Sequence, residues 1–451
     1  MKTEKQNQTF PENFFWGAAT SSHQVEGDNF NDWSEWENSQ ERRRQLEKSG
    51  MIKKYGLENF ISGVACDHYN RYEEDFDIAE KLGHNAHRFS IEWSRVEPEE
   101  GKFNQEEIEH YKKAVKVLRE RGMEPFITLW HFTLPIWLAE KGGWLCEKSP
   151  FYFARYAEKV VSQLGDDVKF WITINEPVVY SMMTYLSGQW PSQKKSVKKY
   201  LKALKNLAQA HIEAYKKIHG LRRGGVFFSS PLGGATIPLS LPLDKGEVGG
   251  GIQVGIAKNN TYFSRRFWWC PFEWGIAKFL KYFKNDWFLE QIKDYQDFIG
   301  LNYYREVMID PFVIIPPFLK GDKGGFSSNF SPLERGVLND MLWRICPEGI
   351  YHCLKDLKKY EKPIFITENG IPDSKDEKRA KFIEDHIFWA GKAIQEGIDL
   401  RGYFYWSLLD NFEWAHGFWP KFGLVEIDYN TLERKIRPSA WRYKEIIEKN
   451  L

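Results

Sequence analysis

The sequence lacks the features that mark several large classes of protein. No apolar run approaches the roughly 20 residues that a membrane-spanning helix needs. Residues 1–13 are polar and contain no apolar segment of the kind found in secretory signals. The 63 basic and 62 acidic side chains leave a net charge of +1, so no overall field attracts nucleic acid or an anionic membrane. We therefore expect a cytoplasmic protein that has neither nucleic acid nor a membrane as its partner.

Signatures of disulfides, metals and nucleotide cofactors are also scarce. The five cysteines are odd in number, widely spaced and free of any CxxC pair, which favours reduced thiols over a disulfide framework. There is no HExxH motif, and HNAH at 84–87 falls at the start of a predicted strand rather than on a helix. Neither GxGxxG nor GxxxxGK[ST] occurs. The sequence predicts no metal site and no cofactor.

Aromatic residues, in contrast, are abundant. The chain contains 19 Trp, 21 Tyr and 33 Phe among its 451 residues. Part of this set must form the core, but aromatic walls in an open cleft also suit stacking on sugar faces or on bases.

Eight short apolar runs alternate with longer amphipathic segments. The runs are 13–20, 85–91, 124–130, 168–174, 253–258, 297–303, 363–367 and 402–407. They are too apolar for a sheet with one wet face, which predicts parallel strands covered on both sides. Helical spacing of apolar residues extends over 67–81, 105–121, 151–164, 194–218, 350–359 and 375–396, and Gly83, Gly122, Gly165 and Gly397 follow four of these segments closely.

This alternation predicts an α/β protein, a single (β/α)8 TIM barrel over 1–451. A doubly wound open sheet is the competing fold, but it usually brings the Gly-rich phosphate turn that is missing here. Two stretches rich in Gly, Pro and Ser, 222–251 and 311–336, interrupt the alternation and predict flexible insertions. The first precedes a strand and is expected on the bottom face of the barrel; the second follows a strand and is expected on the top face.

Barrel enzymes work at the carboxyl ends of their strands, and polar residues stand at those positions here. Two of them are glutamates, Glu176 and Glu368, each ending an apolar strand where an unpaired carboxylate carries a desolvation cost. The fourth and seventh strands face each other across a barrel mouth. Two facing carboxylates in an aromatic cleft are what cleavage of a glycosidic bond requires, so the pair predicts this chemistry rather than two surface ion pairs.

The segments that carry these residues resemble those of glycoside hydrolase family 1, the β-glucosidase family. TINEP at 173–177 and ITENG at 366–370 resemble its two signature segments. Further similar segments follow in order along nearly the whole chain: FPENFFWGAATSSHQVEG at 10–27, ACDHYNRYEEDF at 65–76, RFSIEWSR at 88–95, GLNYY at 300–304, GYFYWSLLDNFEWAHGF at 402–418 and FGLVEIDY at 422–429.

The resemblance implies a retaining β-glycosidase, most simply a β-glucosidase acting on β-glycosides or small oligosaccharides. It implies that Glu176 is the acid/base and Glu368 the nucleophile. Arg88, Tyr304 and Asn302 complete the catalytic set. The implied sugar-binding residues are Gln24, His131, Asn175, Trp406, Glu413, Trp414 and Phe422.

Some positions depart from the family pattern. Phe132 and Val178 stand where many members carry Trp, which leaves the leaving-group preference open. β-Galactosidase, β-fucosidase, β-mannosidase and transglycosylase activities share the mechanism and remain alternatives. An inactive sugar-binding barrel is the alternative of another class, although the presence of both glutamates disfavours it. The sequence leaves the oligomeric state open.

Overall fold

In the computed structural model, eight parallel strands close into one barrel; the structure describes residues 10–223, 251–267, 269–309 and 336–450. In chain order the strands are Phe15–Ala19, Ala86–Ser90, Glu124–Trp130, Phe170–Asn175, Gln253–Asn259, Phe298–Asn302, Ile364–Asn369 and Leu400–Trp406. Each strand pairs in parallel with the next, and the eighth closes on the first, where Gly402 pairs with Phe15. The predicted barrel is confirmed, and each of the eight apolar runs overlaps one of its strands.

Nine of the described helices, most of them ten or more residues long, cover the outside of the barrel. They are His68–Lys81, Gln105–Glu120, Ser149–Leu164, Val197–Arg223, Pro271–Lys281, Trp287–Ile292, Glu348–Leu357, Arg379–Gln395 and Pro438–Glu448. Six of them overlap the predicted helical segments. Pro271–Lys281, Trp287–Ile292 and Pro438–Glu448 were not predicted. The first buries only Glu273, so it carries no apolar stripe toward the core. The last packs Ala440, Tyr443 and Ile447 into the core, a short stripe that went unrecognised in the sequence.

Shorter elements fill the connections. The short helices are Ser22–Val25, Asp32–Glu37, Gln40–Lys48, Met51–Tyr55, Trp93–Val96, Ile136–Glu140 and Pro177–Ser181, with 3-10 turns at Glu58–Phe60, Gly143–Leu145, Lys358–Tyr360 and Trp414–His416 and π-helical turns at Met182–Leu186 and Tyr282–Asp286. Two small sheets pair Tyr262–Arg265 with Glu306–Ile309 in parallel and Val425–Ile427 with Arg434–Ile436 antiparallel.

The helix Gln105–Glu120 illustrates why these segments fold as they do. The Asn104 side chain accepts a hydrogen bond from the backbone N–H of Glu106 at 3.0 Å and so caps the first turn. Apolar residues at three- and four-residue spacing, from Ile108 to Leu118, are buried against the barrel. Gly122 then adopts a left-handed φ of 70°, which ends the helix at little steric cost.

Phenylalanine rings fill the lower part of the barrel interior. Phe126 and Phe170 stack with ring centroids 4.3 Å apart, and Phe126 meets Phe404 edge-on at 4.7 Å. Phe170 and Phe298 are the first residues of their strands, which places this packing toward the amino-terminal end of the barrel. We call the set the phenylalanine layer; its members are Phe15, Phe126, Phe170, Phe298, Phe365 and Phe404.

The two predicted insertions, over 222–251 and 311–336, lie almost entirely outside the described residues. Their placement on the bottom and top faces, and the single-domain organisation of 1–451, stay predictions.

Candidate active site

The residues singled out from the sequence converge at the carboxyl end of the barrel. Most are buried; Tyr304 and Glu413 are half-buried. The buried members are Gln24, Arg88, His131, Asn175, Glu176, Asn302, Glu368, Trp406, Trp414 and Phe422.

Glu368, near the end of the seventh strand, is held by two donors. Nη1 of Arg88 donates to Oε1 of Glu368 at 2.5 Å, and the Tyr304 hydroxyl donates to Oε2 at 2.6 Å. Burial and the neighbouring charge of Glu368 keep the pKa of Tyr304 well above its usual value, so the phenol stays a donor. Both oxygens of this carboxyl group therefore accept short hydrogen bonds from protein donors.

Arg88 also connects Glu368 to the second glutamate through two amides. Its Nη2 donates to Oδ1 of Asn175 at 2.9 Å. Nδ2 of Asn302 donates both to that same oxygen, at 3.1 Å, and to Oε1 of Glu176, at 2.9 Å. The two carboxylates therefore share one buried hydrogen-bond network.

Glu176 follows the fourth strand in a left-handed conformation, with φ of 44° and ψ of 56°, just before Pro177 opens a short helix. Its backbone N–H donates to the carbonyl of Ala257 on the neighbouring strand at 2.8 Å. Burial, followed by the charge of Glu368, raises the pKa of Glu176 to about 7. Glu176 therefore keeps its proton to a higher pH than an ordinary glutamate, as the acid of a catalytic pair must.

An extra residue interrupts the pairing of both strands that carry a glutamate. In the seventh strand, Ile366 pairs with Tyr403 but Asn369 pairs with Tyr405, so three steps oppose two. In the fourth strand, Ile172 and Asn175 pair with Gly255 and Ala257 in the same way. Such a bulge breaks the alternation of side chains and redirects the residues that follow it.

The amide of Asn175 fixes the tautomer of His131. Because Oδ1 of Asn175 accepts from Arg88 and Asn302, its Nδ2 is the atom that donates to Nε2 of His131, at 3.0 Å. Burial and then the charge of Arg88 hold the pKa of His131 well below its usual value. The neutral ring therefore carries its proton on Nδ1, which has no partner within the described protein and is a donor for a ligand.

Gln24 and Glu413 meet at the side of the cleft formed by the first and eighth strands. Nε2 of Gln24 donates to the Asn411 side chain at 2.9 Å and to the Phe412 carbonyl at 2.8 Å. This contact ties the loop after the first strand to the segment that carries Glu413. Desolvation raises the pKa of Glu413 to about 8, and the charges of Glu368 and Glu176 add to the effect. Its Oε2 is buried and has no hydrogen-bond partner among the described residues.

Three aromatic side chains complete the wall of the cleft. His131 stacks on Trp406 with ring centroids 5.8 Å apart and on Trp414 at 5.9 Å. Phe422 lies 6.2 Å from the Tyr304 ring, on the nucleophile side. These flat apolar surfaces suit the C–H faces of a sugar ring.

Several residues of this network were not identified from the sequence. Thr128 accepts a hydrogen bond from Nε of Arg88 at 3.0 Å, and the Thr367 hydroxyl donates to Oδ1 of Asn302 at 2.7 Å. Polar residues inside the apolar runs FITLW and IFIT were the available signal for both. Lys284, whose charge acts on Glu176, lies on a π-helical turn, and no motif pointed to it.

The described ranges contain no group of three His, Cys, Asp or Glu side chains that could hold a metal ion. The helices described in them also include none that is long and apolar enough to cross a membrane.

Comparisons with known proteins extend over nearly the whole chain. The sequence profile of Glycosyl hydrolase family 1 matches residues 6–451. Beta-glucosidase A of Thermotoga maritima is 35% identical, over 98% of this chain and 98% of its own length. Two solved structures are similar. The beta-glycosidase from Pyrococcus horikoshii has a TM-score of 0.77 and 37% identity, and the match covers 98% of this chain and 96% of that one.

The second structure is the beta-glucosidase from Thermotoga maritima in complex with glucoimidazole, with a TM-score of 0.81 and 31% identity over 98% of this chain and 100% of that one. The sequence profile, the full-length relative and the two structures agree on the family. The chain belongs to glycosyl hydrolase family 1.

Proposed function

We propose that this protein is a retaining β-glucosidase, which releases terminal non-reducing β-D-glucosyl residues from β-glycosides or small oligosaccharides. One observation carries the proposal. In a single buried network, burial and Glu368 raise the pKa of Glu176 to about 7, while Arg88 and Tyr304 hold the other carboxylate with two donors. One acid and one carboxylate, supplied together, are the requirement for glycosidic cleavage with retention.

In the first step, the ionised Glu368 attacks the anomeric carbon, and the bond from that carbon to the leaving oxygen breaks. Glu176, protonated because of its raised pKa, gives its proton to the departing oxygen. The products are a neutral leaving alcohol, a glycosyl ester on Glu368 and an ionised Glu176.

In the second step, esterification has removed the negative charge of Glu368 that raised the pKa of Glu176. Glu176 therefore remains ionised and accepts a proton from water, whose oxygen attacks the anomeric carbon from the face that the leaving group vacated. The ester bond breaks, Glu368 regains its charge, and the sugar leaves with its original β configuration.

The remaining residues are proposed to hold the sugar. Nδ1–H of His131 and Oε2 of Glu413 offer a donor and an acceptor without protein partners, as sugar hydroxyls require. Asn175, tied to both catalytic carboxylates, is proposed to contact the 2-hydroxyl, a bond that strengthens as the oxocarbenium-like transition state forms. Trp406 is proposed as the stacking floor, and Gln24, Trp414 and Phe422 as the rest of the subsite.

We also propose that the protein is cytoplasmic. This location is supported by the state of the thiols, because all five cysteines are free: Cys66, Cys146, Cys270, Cys346 and Cys353.

The experiment that tests the proposed roles uses azide as an external nucleophile. Glu368→Gly should abolish hydrolysis of an activated aryl β-glucoside, and azide should restore turnover with an α-glucosyl azide product, because only one displacement remains. Glu176→Ala should still form the ester from a substrate with a good leaving group, and azide should then give the β product. Glu361→Gly, a change at an exposed glutamate just before the seventh strand, is the matched control and should keep wild-type activity.

Identical anomers from the two variants would refute the assigned roles. Absence of turnover by the wild-type protein on aryl β-glycosides would favour the inactive sugar-binding barrel. Comparing kcat/KM for the gluco-, galacto-, fuco- and manno-configured substrates would decide which epimer is preferred.

A further inference from the structure

The segment from 269 to 283 exposes an unusual number of large aromatic side chains. Six of them are between 43% and 66% exposed, whereas most aromatic residues of the described chain lie in the core. We call this set the aromatic face; its members are Trp269, Phe272, Trp274, Phe279, Tyr282 and Phe283.

Helical geometry places three of these six rings on one side. Phe272, Gly275, Phe279 and Tyr282 are spaced by three or four residues along Pro271–Lys281 and the turn that follows, and all four are exposed. This is the apolar stripe of an amphipathic helix, but it points to solvent instead of to the core.

The helix that carries the aromatic face is anchored to the protein by its opposite side. Glu273 is fully buried and accepts a hydrogen bond from the backbone N–H of Phe267 at 2.8 Å. At the other end, Asn285 is buried and exchanges two hydrogen bonds with the backbone of Thr261, at 3.0 and 2.8 Å. The exposure of the rings is therefore a property of a fixed helix.

Within 269–286, the exposed charged side chains are basic. The two acidic residues of 269–286, Glu273 and Asp286, are both buried. Lys278 is exposed and lies over the Trp274 ring, 5.0 Å from its centroid. Lys281, partly exposed, pairs with Asp356 at 2.5 Å. The surface of this segment is thus mainly aromatic, with Lys278 as its exposed cation outside that ion pair.

We propose that the aromatic face docks the protein on the surface of a lipid bilayer that contains anionic lipids. Trp, Tyr and Phe favour the boundary between headgroups and acyl chains, and lysines beside them attract anionic headgroups. The nearly neutral chain gives no long-range attraction, so affinity comes mainly from ring burial, with a smaller contribution from Lys278. This goes beyond the proposed glucosidase activity and replaces the sequence-based expectation of no membrane partner.

A second copy of the chain fits the same face less well. A two-fold interface apposes identical patches, so it would bring Lys278 of both copies together, while Glu273 and Asp286 stay buried and Asp356 already pairs with Lys281. A lipid surface supplies the complementary negative charge.

The test is co-sedimentation of the full chain with vesicles of phosphatidylcholine alone or of phosphatidylcholine mixed with phosphatidylglycerol. Wild-type protein should pellet with the mixed vesicles and less with the neutral ones. The face variant combines Phe272→Ser, Trp274→Ser and Phe279→Ser, and it should partition at least roughly tenfold more weakly. The matched control replaces three exposed aromatics elsewhere, Phe30→Ser, Phe151→Ser and Trp441→Ser, and should bind like wild type.

Activity on a soluble aryl β-glucoside reports whether each variant is folded and should be unchanged in both. Trp274→Ser alone serves if the triple variant does not fold. Failure of the wild type to pellet, or equal loss in the face and control variants, would overturn the proposal. A wild-type dimer in light scattering that the face variant dissociates, without vesicle binding, would assign the face to a second copy instead.

Discussion

The two ends of the barrel interior are built from opposite kinds of side chain. Toward the amino-terminal end the phenylalanine layer is apolar and interlocked, with Phe126 and Phe170 stacked at 4.3 Å. Toward the carboxyl end the interior is a network of charged and amide groups centred on Arg88, in which Glu368 lies 2.5 Å from the guanidinium. The same strands supply both ends, often within three residues of each other, as Phe365 and Glu368 do.

This contrast indicates that one end of each strand serves stability and the other end serves the reaction. Close packing of large rings stabilises the closed barrel through apolar burial, which needs no particular charge. A buried ionic network contributes little net stability, because desolvation offsets most of the attraction between its charges. The polar side chains at the carboxyl end are therefore explained by their part in the reaction, and the packed rings at the other end hold the strands that carry them in position.

The largest effect is expected from breaking the polar end at Arg88. Arg88→Met leaves Glu368 buried without its cation, and removal of one partner from a buried ion pair costs roughly 3–5 kcal/mol of unfolding free energy. We also expect kcat/KM to fall by on the order of 10²–10³, as for loss of a preorganised electrostatic contact. Chemical denaturation and steady-state kinetics measure the two effects. Arg88→Lys keeps the charge and should lose less of both, whereas unchanged kinetics in Arg88→Met would show that the network is not catalytic.

Breaking the apolar end should have the opposite profile. Phe126→Ala opens a cavity in the phenylalanine layer and should lower the free energy of unfolding by roughly 3–5 kcal/mol. Below the unfolding transition, its kcat/KM should stay close to the wild-type value, because the polar network is untouched. Phe151→Ala, at an exposed ring, is the control and should change stability by less than about 0.5 kcal/mol. A large loss of kcat/KM in folded Phe126→Ala would mean that the two ends are coupled.

A smaller effect is expected on the ratio of kcat/KM between substrates without and with a 6-phosphate. Like charges about 4 Å apart repel by about 4 kcal/mol at an effective dielectric constant of 20, and ionised Glu413 would face the phosphate. Protonation of Glu413, whose pKa is raised to about 8, weakens this repulsion. We therefore expect about a hundredfold preference for p-nitrophenyl β-glucoside over its 6-phosphate.

The preference should increase as the pH rises through about 8, because Glu413 then loses its proton. Ratios of kcat/KM measured in one buffer series from pH 6 to 9 test this. Glu413→Gln should flatten the dependence, and equal kcat/KM for the two substrates would remove Glu413 from the sugar subsite.

The smallest effect concerns the pH profile. The reactive form requires protonated Glu176, so kcat/KM should decline as the pH rises above about 7. The charge of Lys284 lowers the pKa of Glu176, so Lys284→Met should move this basic limb upward. Lys284→Arg keeps the charge and should leave the limb in place. A downward shift in Lys284→Met would contradict the electrostatic role assigned to the lysine.

Much of the fold was predictable because the strands are buried on both faces, which makes them continuous apolar runs. The run at 363–367 nevertheless stopped short of the strand Ile364–Asn369, since Glu368 and Asn369 are polar. The helix Pro271–Lys281 was missed for the opposite reason: its aromatic rings face solvent, so apolar content gave no guide to the buried side.

Position at strand ends singled out the two glutamates, and the family resemblance added Glu413, Trp414 and Phe422, but neither predicted how the side chains are oriented. Strict alternation would turn Thr367 and Glu368 to opposite faces of the sheet. The bulge allows Thr367 to contact Asn302 while Glu368 contacts Arg88, and a bulge is set by pairing with neighbouring strands that are distant in sequence. The connection from Arg88 through two amides to Glu176 likewise depends on three-dimensional proximity.

The phenylalanine layer also determines by which route small molecules enter and leave the active site. Its rings pack across the barrel from Phe15 to Phe404 and close the described interior at the amino-terminal end. Substrate, water and products therefore enter and leave through the mouth at the carboxyl end. In the proposed mechanism the leaving alcohol must therefore dissociate through this mouth before water reaches the glycosyl ester. The kinetics should then follow a ping-pong order. The sugar released last occupies the same space as incoming substrate, so free glucose should inhibit competitively. An alcohol at high concentration should react with the glycosyl ester in place of water.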